Sequence, residues 1–246
     1  MADLSVIAPC LNEADNLPLL FKRTIDVFNS HSIKGELIII DDGSTDNTAR
    51  VLNNLSELDS RLRFYSHPGN RGIEASWRTG IGKAASDVVC LIDGDLQNHP
   101  EDIIKLYQTF LSNGGDVVVQ GVRNPARGLS IKRPFHFSIG LNQLLNICFK
   151  MKAADNKSGF ILCRRHTLLD IISHQFKYRY FQCFVGVSAF IKDYKIIEVD
   201  TVFSHRQFGT SFLSYFPLFT VVRIIIEVVK YRIELSLYKP KHASKG

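Results

Sequence analysis

Short runs of apolar residues alternate with segments of helical character along the first half of the chain. The runs, which predict five strands, cover residues 4–8, 37–40, 63–65, 88–92 and 116–120. The segments between them predict helices at residues 16–28, from Thr45 or Asp46 to 55, at 72–85 and at 100–111. Continuous apolar strands are typical of sheets covered on both faces, and their alternation with helices predicts a doubly wound, mostly parallel α/β sheet.

The alternation fades after Gly121, and two apolar segments follow at residues 135–149 and 212–229. Charged residues and a proline interrupt the second segment, and no stretch reaches the roughly 18 apolar residues of a bilayer-spanning helix. We expect both segments to be amphipathic helices in a membrane interface; packing into a core or a dimer is the alternative. The expected division is an α/β domain at residues 1–211 and an amphipathic basic segment at 212–246 that contacts a membrane or a second copy.

The distribution of charge changes this picture more than its total. The 246 residues carry 30 Lys and Arg against 24 Asp and Glu, a formal net charge of +6, and 45% are hydrophobic, which excludes a disordered or fibrous protein. No acidic residue occurs between residues 117 and 154, and residues 202–246 carry most of the excess positive charge. This asymmetry favours an acidic partner (phosphate, nucleic acid or an anionic membrane), with a solvated basic face as the alternative.

The cysteines and the N-terminus indicate the compartment. Five cysteines, an odd number, are scattered mostly through apolar runs, so we expect buried thiols in a reducing compartment and neither a disulfide framework nor a zinc site. The first residues do not follow the pattern of a secretory signal. The protein is therefore expected in the cytoplasm.

Carboxylates follow two of the predicted strands directly. Asp41 and Asp42 end the run at 37–40, and Asp93-Gly94-Asp95 ends the run at 88–92, with Gln97 two residues further on. Ligands of doubly wound sheets bind beyond the carboxyl ends of the strands, and Mg²⁺ or Mn²⁺ favours carboxylate oxygens combined with substrate phosphates. A surface turn is the alternative, because Asp-Gly is a common turn dipeptide.

An ordered set of motifs resembles family 2 glycosyltransferases of the GT-A fold, and within them the polyprenyl-phosphate sugar transferases typified by dolichol-phosphate mannose synthase. The matching motifs are VIAPCLNE at 6–13, DDGSTD at 41–46, NRG at 70–72, DGDLQ at 93–97 with Pro100-Glu101, and SGF at 158–160. The resemblance covers about two thirds of the chain and implies a GT-A sheet, a nucleotide-sugar donor, a divalent metal and inversion at the sugar carbon.

The resemblance also implies which residues bind the donor. The nucleotide falls to Pro9, Leu11, Glu13, Asp41, Asp42, Asp93 and Gln97, and the metal to Asp93, Asp95 and Gln97. Leu11 stands where an aromatic residue is common, which weakens the expectation that a side chain stacks on the base. Gly94 stands where an alanine is frequent, and we expect no functional consequence of that difference.

The family resemblance leaves the acceptor to be inferred. Family 2 enzymes with hydroxyl acceptors usually need a carboxylate as general base, and no clear Glu-Asp base motif occurs later in this chain. A lipid phosphate as the acceptor would explain this absence, because a phosphate monoester is already largely anionic at neutral pH and needs no deprotonation. Its binding needs positive charge, and Arg123, Arg133 and Arg206, with Ser138 as a hydroxyl donor, lie near family positions of those types. Asp93, Asp95, Arg123 and Arg133 are therefore the expected catalytic residues.

We therefore predict a peripheral membrane enzyme at the cytoplasmic face that transfers a sugar from a UDP- or GDP-sugar to a polyprenyl phosphate. One alternative is a family 2 transferase acting on a glycan or lipid hydroxyl, with Asp155 or Asp200 as the base. Another is a binding or scaffold protein that keeps the fold without catalysis. Nucleic-acid binding is not expected, because the sequence carries none of the usual motifs.

Overall fold

The computed structural model describes residues 2–123, 134–156, 158–178, 180–204 and 217–237, and for residues 134–139, 217–221 and 236–237 the backbone alone. Its strands are β1 (Leu4–Cys10), β2 (Gly35–Asp41), β3 (Leu62–Ser66), β4 (Val88–Leu91), β5 (Val118–Arg123), β6 (Ile161–Arg164) and β7 (Ile196–Thr201). Its helices are α1 (Leu17–Ser30), α2 (Thr48–Leu58), α3 (Ile73–Lys83), α4 (Ile103–Ser112), α5 (Pro134–Phe149), α6 (Arg165–Ile171), α7 (Gln182–Ile191) and α8 (Pro217–Leu237).

The strands form one sheet in the order β3-β2-β1-β4-β6-β5-β7. All pairs are parallel except those of β6, which runs antiparallel to β4 and β5. The predicted mostly parallel α/β sheet is therefore confirmed. Because β6 is antiparallel to both neighbours, β5 points the same way as β4, and the carboxyl ends of β1, β2, β4, β5 and β7 meet at one edge.

The five predicted strands and four predicted helices are present, with ends that differ by a few residues. The strand expected at 116–120 runs from Val118 to Arg123, which places Arg123 at its carboxyl end. The second helix begins at Thr48, and its N-cap is Asn47, where Thr45 or Asp46 was expected; Asp46, one residue earlier, accepts a hydrogen bond from Thr48 N at 2.9 Å. Strands β6 and β7 were not predicted.

Helices cover both faces of the sheet, and each face has its own hydrophobic core. Val6 of β1 packs with α1, α2 and α4, including Phe28 and Phe110. Ile7, the next residue of β1, packs on the opposite face with α3 and α5 to α8, including Trp77 and Tyr231. Coverage on both sides explains why β1 and β2 are continuous apolar runs.

All five cysteines are free thiols, and all but the half-buried Cys148 are buried. Burial raises the pKa of Cys90 and of Cys163 well above the ordinary thiol value. A buried thiol that resists ionisation is a poor nucleophile and metal ligand. These cysteines therefore act as small core residues.

The C-terminal helix α8 belongs in part to the core. Ile224, Val228 and Tyr231 are buried against the sheet side formed by α3 and α5 to α7. Glu234 accepts hydrogen bonds from Gln175 N at 2.7 Å and from the Tyr178 hydroxyl at 2.6 Å. The core alternative thus accounts for one face of this segment, while the predicted boundary at residues 211 and 212 lies outside the described residues and stays a prediction.

Within the described residues, every helix is too short or too polar to cross a bilayer.

Candidate active site

The polar residues singled out in the sequence gather at the edge where the parallel strands end. Asp41 closes β2 and Asp42 follows it, Asp93 lies two residues after β4, and Arg123 closes β5. Parallel strands bring their carboxyl ends to a common edge, so residues far apart in sequence surround one region there. Four parts of the chain build this region: the loop after β1, the loop after β2, the DGD turn after β4, and the end of β5.

The loops after β1 and β2 are joined by hydrogen bonds. Asn12, in the left-handed backbone region at φ 56°, donates its N–H to Ser44 Oγ at 2.8 Å and accepts from Thr45 N at 2.8 Å. Glu13 is buried, and its carboxylate accepts a hydrogen bond from the Asn16 side chain at 2.5 Å. Pro9 and Leu11 are half-buried at the same edge.

Asp42 organises a third loop. Its carboxylate accepts hydrogen bonds from Gly72 N at 2.7 Å and Arg71 N at 3.0 Å, and lies 2.7 Å from His67 Nδ1. The other nitrogen of His67 lies 2.9 Å from Thr79 Oγ1 on α3. Asp42 therefore holds the NRG loop and the start of α3, and its contact with a nucleotide stays a prediction. His67 was not predicted, since a lone histidine after a strand carries no recognisable signal.

The DGD turn is tightly held by its own backbone. Asp95 is buried, and its Oδ1 accepts a hydrogen bond from Gln97 N at 3.1 Å, while Leu96 between them is in the left-handed region at φ 60°. A non-glycine residue in that region is strained, and such strain is common at functional sites. Asp93 is half-buried, with the Asn98 amide 3.5 Å from its Oδ2.

Gly94 has a structural role that the sequence did not predict. A Cβ atom on Gly94 would lie 2.8 Å from the Pro9 carbonyl oxygen and 3.2 Å from Cys10 Cβ. The first contact is with backbone and cannot be relieved by a side-chain rotation. The glycine therefore allows the DGD turn to approach the end of β1, and an alanine there has a structural consequence in this chain.

The donor atoms of this turn suit a hard divalent cation. Asp93, Asp95 and Gln97 offer two carboxylates and an amide oxygen, the set that Mg²⁺ or Mn²⁺ binds together with phosphate oxygens and water. In the described part of the chain no group of three or more His, Cys, Asp and Glu side chains forms a metal cage. Two carboxylates and an amide oxygen fit a cation that also takes ligands from phosphate and water.

The segment after β7 covers the DGD turn from one side. Ser204 N donates to the Gln97 carbonyl at 2.9 Å, and Phe203 pairs with Asn98 in an isolated β-bridge. The Ser204 hydroxyl lies 2.6 Å from His99 Nε2. Burial, followed by the positive charge of Arg23, lowers the pKa of His99, which favours the neutral ring. These contacts join the segment after β7 to residues about a hundred positions earlier in the chain.

Arg123 is held beside the turn as a fixed cation. Its Nη2 donates to Asp155 Oδ1 at 2.7 Å and its Nε donates to Asp155 Oδ2, so the pair is bidentate, and its guanidinium carbon lies 5.1 Å from the centre of the Phe203 ring. Burial alone would lower the pKa of Arg123, but the hydrogen bonds and charge of Asp155, together with the charge of Asp93, raise it. Arg123 therefore stays charged within electrostatic reach of Asp93.

The loop that carries Asp155 is fixed by α5 and β5. Asn142 of α5 accepts a hydrogen bond from Asn156 N at 2.7 Å and donates to the Ala153 carbonyl at 2.9 Å. Gln120 donates to the Asp155 carbonyl at 3.2 Å. Asp155 was considered as a base for a hydroxyl acceptor, but both of its carboxylate oxygens accept hydrogen bonds from Arg123. Asp200, the other candidate base, is exposed on the edge strand β7.

Two of the three expected acceptor arginines lie outside the described residues. Arg133 and Arg206 lie outside the described residues, and only the backbone of Ser138 is described. Of the proposed acceptor residues, the structure therefore places Arg123 alone beside the DGD turn.

Comparison with known proteins identifies the family of this chain. The family model for glycosyl transferase family 2 matches residues 5–171. An undecaprenyl-phosphate 4-deoxy-4-formamido-L-arabinose transferase from Pectobacterium atrosepticum is 30% identical over 221 residues, 89% of this chain and 65% of its own length. A protein of the same name from Proteus mirabilis is 29% identical over 225 residues with the same coverage. The chain thus spans less than two thirds of the length of these relatives.

Solved structures show the same fold at lower identity. Glucosyl-3-phosphoglycerate synthase from Mycobacterium tuberculosis, in complex with Mn²⁺, uridine diphosphate and glucosyl-3-phosphoglycerate, superposes with a TM-score of 0.70 at 19% identity, over 94% of this chain and 80% of that one. Its complex with Mg²⁺ and uridine diphosphate gives 0.68 at 20% identity, over 94% and 79%. The expected GT-A fold is confirmed. With the family match over more than half of its residues, the chain belongs to glycosyl transferase family 2.

Proposed function

We propose that this chain transfers a sugar from a nucleotide-diphosphate sugar to a polyprenyl phosphate with inversion. The observation that carries the proposal is Arg123, a charged guanidinium held by Asp155 and Phe203 beside Asp93. A fixed cation at this edge is suited to an incoming anion. The names of the relatives, which include undecaprenyl phosphate, support the same acceptor class.

The donor is proposed to bind along the edge built by β1, β2 and the DGD turn. Pro9, Leu11, Glu13, Asp41 and Asp42 surround the nucleoside position. Asp93, Asp95 and Gln97 would hold Mg²⁺ or Mn²⁺, which when bound would offset the negative charge of the leaving diphosphate. Uridine diphosphate and Mn²⁺ or Mg²⁺ in the structures of similar fold support this assignment.

The acceptor is proposed to bind with its phosphate against Arg123, joined by Arg133, Arg206 and Ser138. A phosphate oxygen attacks the anomeric carbon in line; the new C–O bond forms as the bond to the donor's β-phosphate breaks, and the electron pair leaves on the diphosphate. The phosphate monoester of the acceptor has a second pKa of about 6, so it needs no general base at neutral pH. The chain's own contribution is to hold the two reactants in line and to balance their charge.

The alternative of a hydroxyl acceptor needs a carboxylate base at this position. Asp155 directs both oxygens to Arg123, and Asp200 is exposed on the edge strand. The arrangement presents the Arg123–Asp155 ion pair, in which the carboxylate is committed to the guanidinium, where a hydroxyl acceptor would need a base. This favours the anionic acceptor.

The proposed acceptor is a membrane lipid, so we also propose that the protein works as a peripheral enzyme at the cytoplasmic face of a membrane, with the C-terminal segment in contact with the bilayer or a second copy. The finding that the described helices are too short or too polar to span a bilayer is compatible with this proposal.

The test is a transfer assay with a panel of UDP- and GDP-sugars, Mn²⁺, and two matched acceptors: a short-chain polyprenyl phosphate and the corresponding polyprenol. Product on the phosphate alone supports the proposal. Product on the polyprenol or on a sugar acceptor supports the hydroxyl alternative. Nucleotide binding with no transfer to any acceptor supports a binding protein without catalysis.

A further inference from the structure

Helix α8 has two apolar faces, and only one of them is covered. Ile224, Val228 and Tyr231 are buried against the body of the protein. Five other aliphatic side chains, each between 45% and 60% exposed, are Val222, Ile225, Ile226, Val229 and Ile233. A helix that buries one face normally turns a polar face to solvent, so an exposed aliphatic stripe needs an explanation.

The exposed residues form a continuous stripe along the helix. At about 100° per residue they fall within an arc of roughly 100°, opposite the buried face. Cationic residues border this arc on both sides, with Arg223 and Lys230 along one edge and Arg232 along the other. Lys230 and Arg232 are braced by aromatic rings of the body: Lys230 Nζ lies 5.1 Å from the Phe176 ring centre, and the Arg232 guanidinium carbon 5.5 Å from that of Phe149.

Helix α5 extends the stripe. Ile147 is 77% exposed, and Cys148 next to it lines a groove of about 440 Å³ together with Val228, Val229, Arg232 and Ile233 of α8. The aliphatic surface therefore spans two helices and contains a shallow groove.

We propose that this surface, the exposed stripe of α8 with Ile147 of α5, lies in the headgroup region of an anionic bilayer, with α8 parallel to the membrane plane. An aliphatic stripe bordered by cations is suited to both the acyl chains and the headgroups of such a bilayer. The aliphatic side chains enter the boundary of the acyl region, while Arg223, Lys230 and Arg232 contact the anionic headgroups. A second copy is a poorer match. Two-fold pairing through the same patch would bring the two sets of cations together.

The position of the surface relative to the site agrees with this partner, in a step that rests on the proposed function. Asn142 of α5 holds the loop that carries Asp155, the partner of Arg123. Ile147 follows five residues later on the same helix, about 7–8 Å further along its axis. Helix α5 therefore carries both a residue of this surface and the residue that holds the Asp155 loop, so the proposed membrane surface and the proposed acceptor site share one helix.

The experiment measures binding of the full chain to vesicles by sedimentation. The vesicles are phosphatidylcholine alone or equal parts of phosphatidylcholine and phosphatidylglycerol. The double variant Ile226→Asn with Val229→Asn makes the stripe polar without touching the buried face. Leu58→Asn, at a 74% exposed leucine on α2, is the matched control. Thermal melting of each variant verifies that the fold is kept.

We expect wild type and Leu58→Asn to bind the anionic vesicles, with binding weakened by salt and by neutral lipid. The stripe variant should lose at least about tenfold in partition coefficient, because two aliphatic side chains no longer enter the acyl boundary. Unchanged vesicle binding by the stripe variant would overturn the proposal. The proposal would also be overturned if wild type formed a dimer that did not bind vesicles and the stripe variant were a monomer.

A second readout separates this inference from the proposed reaction. With a long-chain acceptor in vesicles the stripe variant should transfer sugar poorly, and with a short-chain, water-soluble polyprenyl phosphate it should match wild type. If wild type binds vesicles through the stripe but transfers sugar to neither acceptor, the proposed function fails and the membrane surface stands.

Discussion

At the scale of single residues, Gly94 shows how closely the turn and β1 approach. We predict that Gly94→Ala lowers the free energy of unfolding by roughly 1–3 kcal/mol and weakens nucleotide binding, because the new methyl group would press on the Pro9 carbonyl. Urea denaturation and nucleotide titration measure the two effects. Gly82→Ala on α3 is the control: a Cβ there meets open space, and the change should stabilise by up to about 1 kcal/mol. Equal effects of the two variants would contradict the close approach.

Asp95 carries the second prediction at this scale. Asp95→Ala should abolish transfer and remove the Mn²⁺-dependent part of nucleoside diphosphate binding, since one of the two proposed carboxylate ligands is lost. A thermal-shift titration of UDP and GDP with and without Mn²⁺ measures the binding. Turnover at the wild-type rate would rule out Asp95 as a metal ligand.

Asp155 is predicted to position Arg123. Asp155→Asn should raise the acceptor KM about tenfold or more and leave the donor KM nearly unchanged, because the guanidinium loses its bidentate partner. Initial rates with each substrate varied give this split. Asp26→Asn, which removes an exposed ion pair with Lys22, is the control and should leave both values unchanged. A collapse of kcat at an unchanged acceptor KM would instead identify Asp155 as a base.

At the scale of elements, α8 is joined to the loop after α6 by a buried histidine and glutamate. His174 Nδ1 lies 3.8 Å from Glu234 Oε1 among Tyr178, Phe181 and Tyr231. Burial lowers the pKa of His174 to about 4; the charge of Glu234 opposes this shift, and those of Lys192 and Arg78 add to it. The ring is therefore neutral in the folded protein at physiological pH.

This shift predicts a loss of stability in acid. Below the ordinary pKa of 6.5 the unfolded chain takes up a proton at His174, and the folded chain does so only near pH 4. The folded state should lose roughly 3 kcal/mol from this residue as the pH falls from about 7 to 4. His174→Phe, which keeps an aromatic ring in the cluster, should flatten that part of the pH profile of the urea midpoint. Profiles of equal slope for wild type and variant would contradict the prediction.

The elements also differ in how far the sequence predicts them. Strands β1, β2 and β4 are covered on both faces, so each is a continuous apolar run that ends at a polar turn. Strand β6 has four residues and β7 forms an edge with half-exposed side chains, so neither has a distinctive pattern. Strand β6 depends on pairing with β4 and β5, and β7 on pairing with β5, and neither pairing is encoded in the segment alone.

At the scale of the whole molecule, three cationic residues and the exposed aliphatic stripe meet on α8. The sequence shows both a basic C-terminal region and an apolar segment, but the periodicity of α8 alone cannot say which apolar face is covered. The structure distinguishes them, since Tyr231 and its neighbours face the core and Val229 and its neighbours face outward. That distinction makes the proposed membrane surface specific enough to test.

The sequence alone determined the parallel sheet, the family and the acidic turns after β2 and β4. These features depend on residues that are close together in the chain, where periodicity and turn chemistry operate. The tertiary structure decided which partners those residues have: Asp155 for Arg123 across 32 positions, His67 for Asp42, and Ser204 for Gln97. Such contacts form where distant loops meet at one edge of the sheet. They depend on how the loops pack, which no local pattern records.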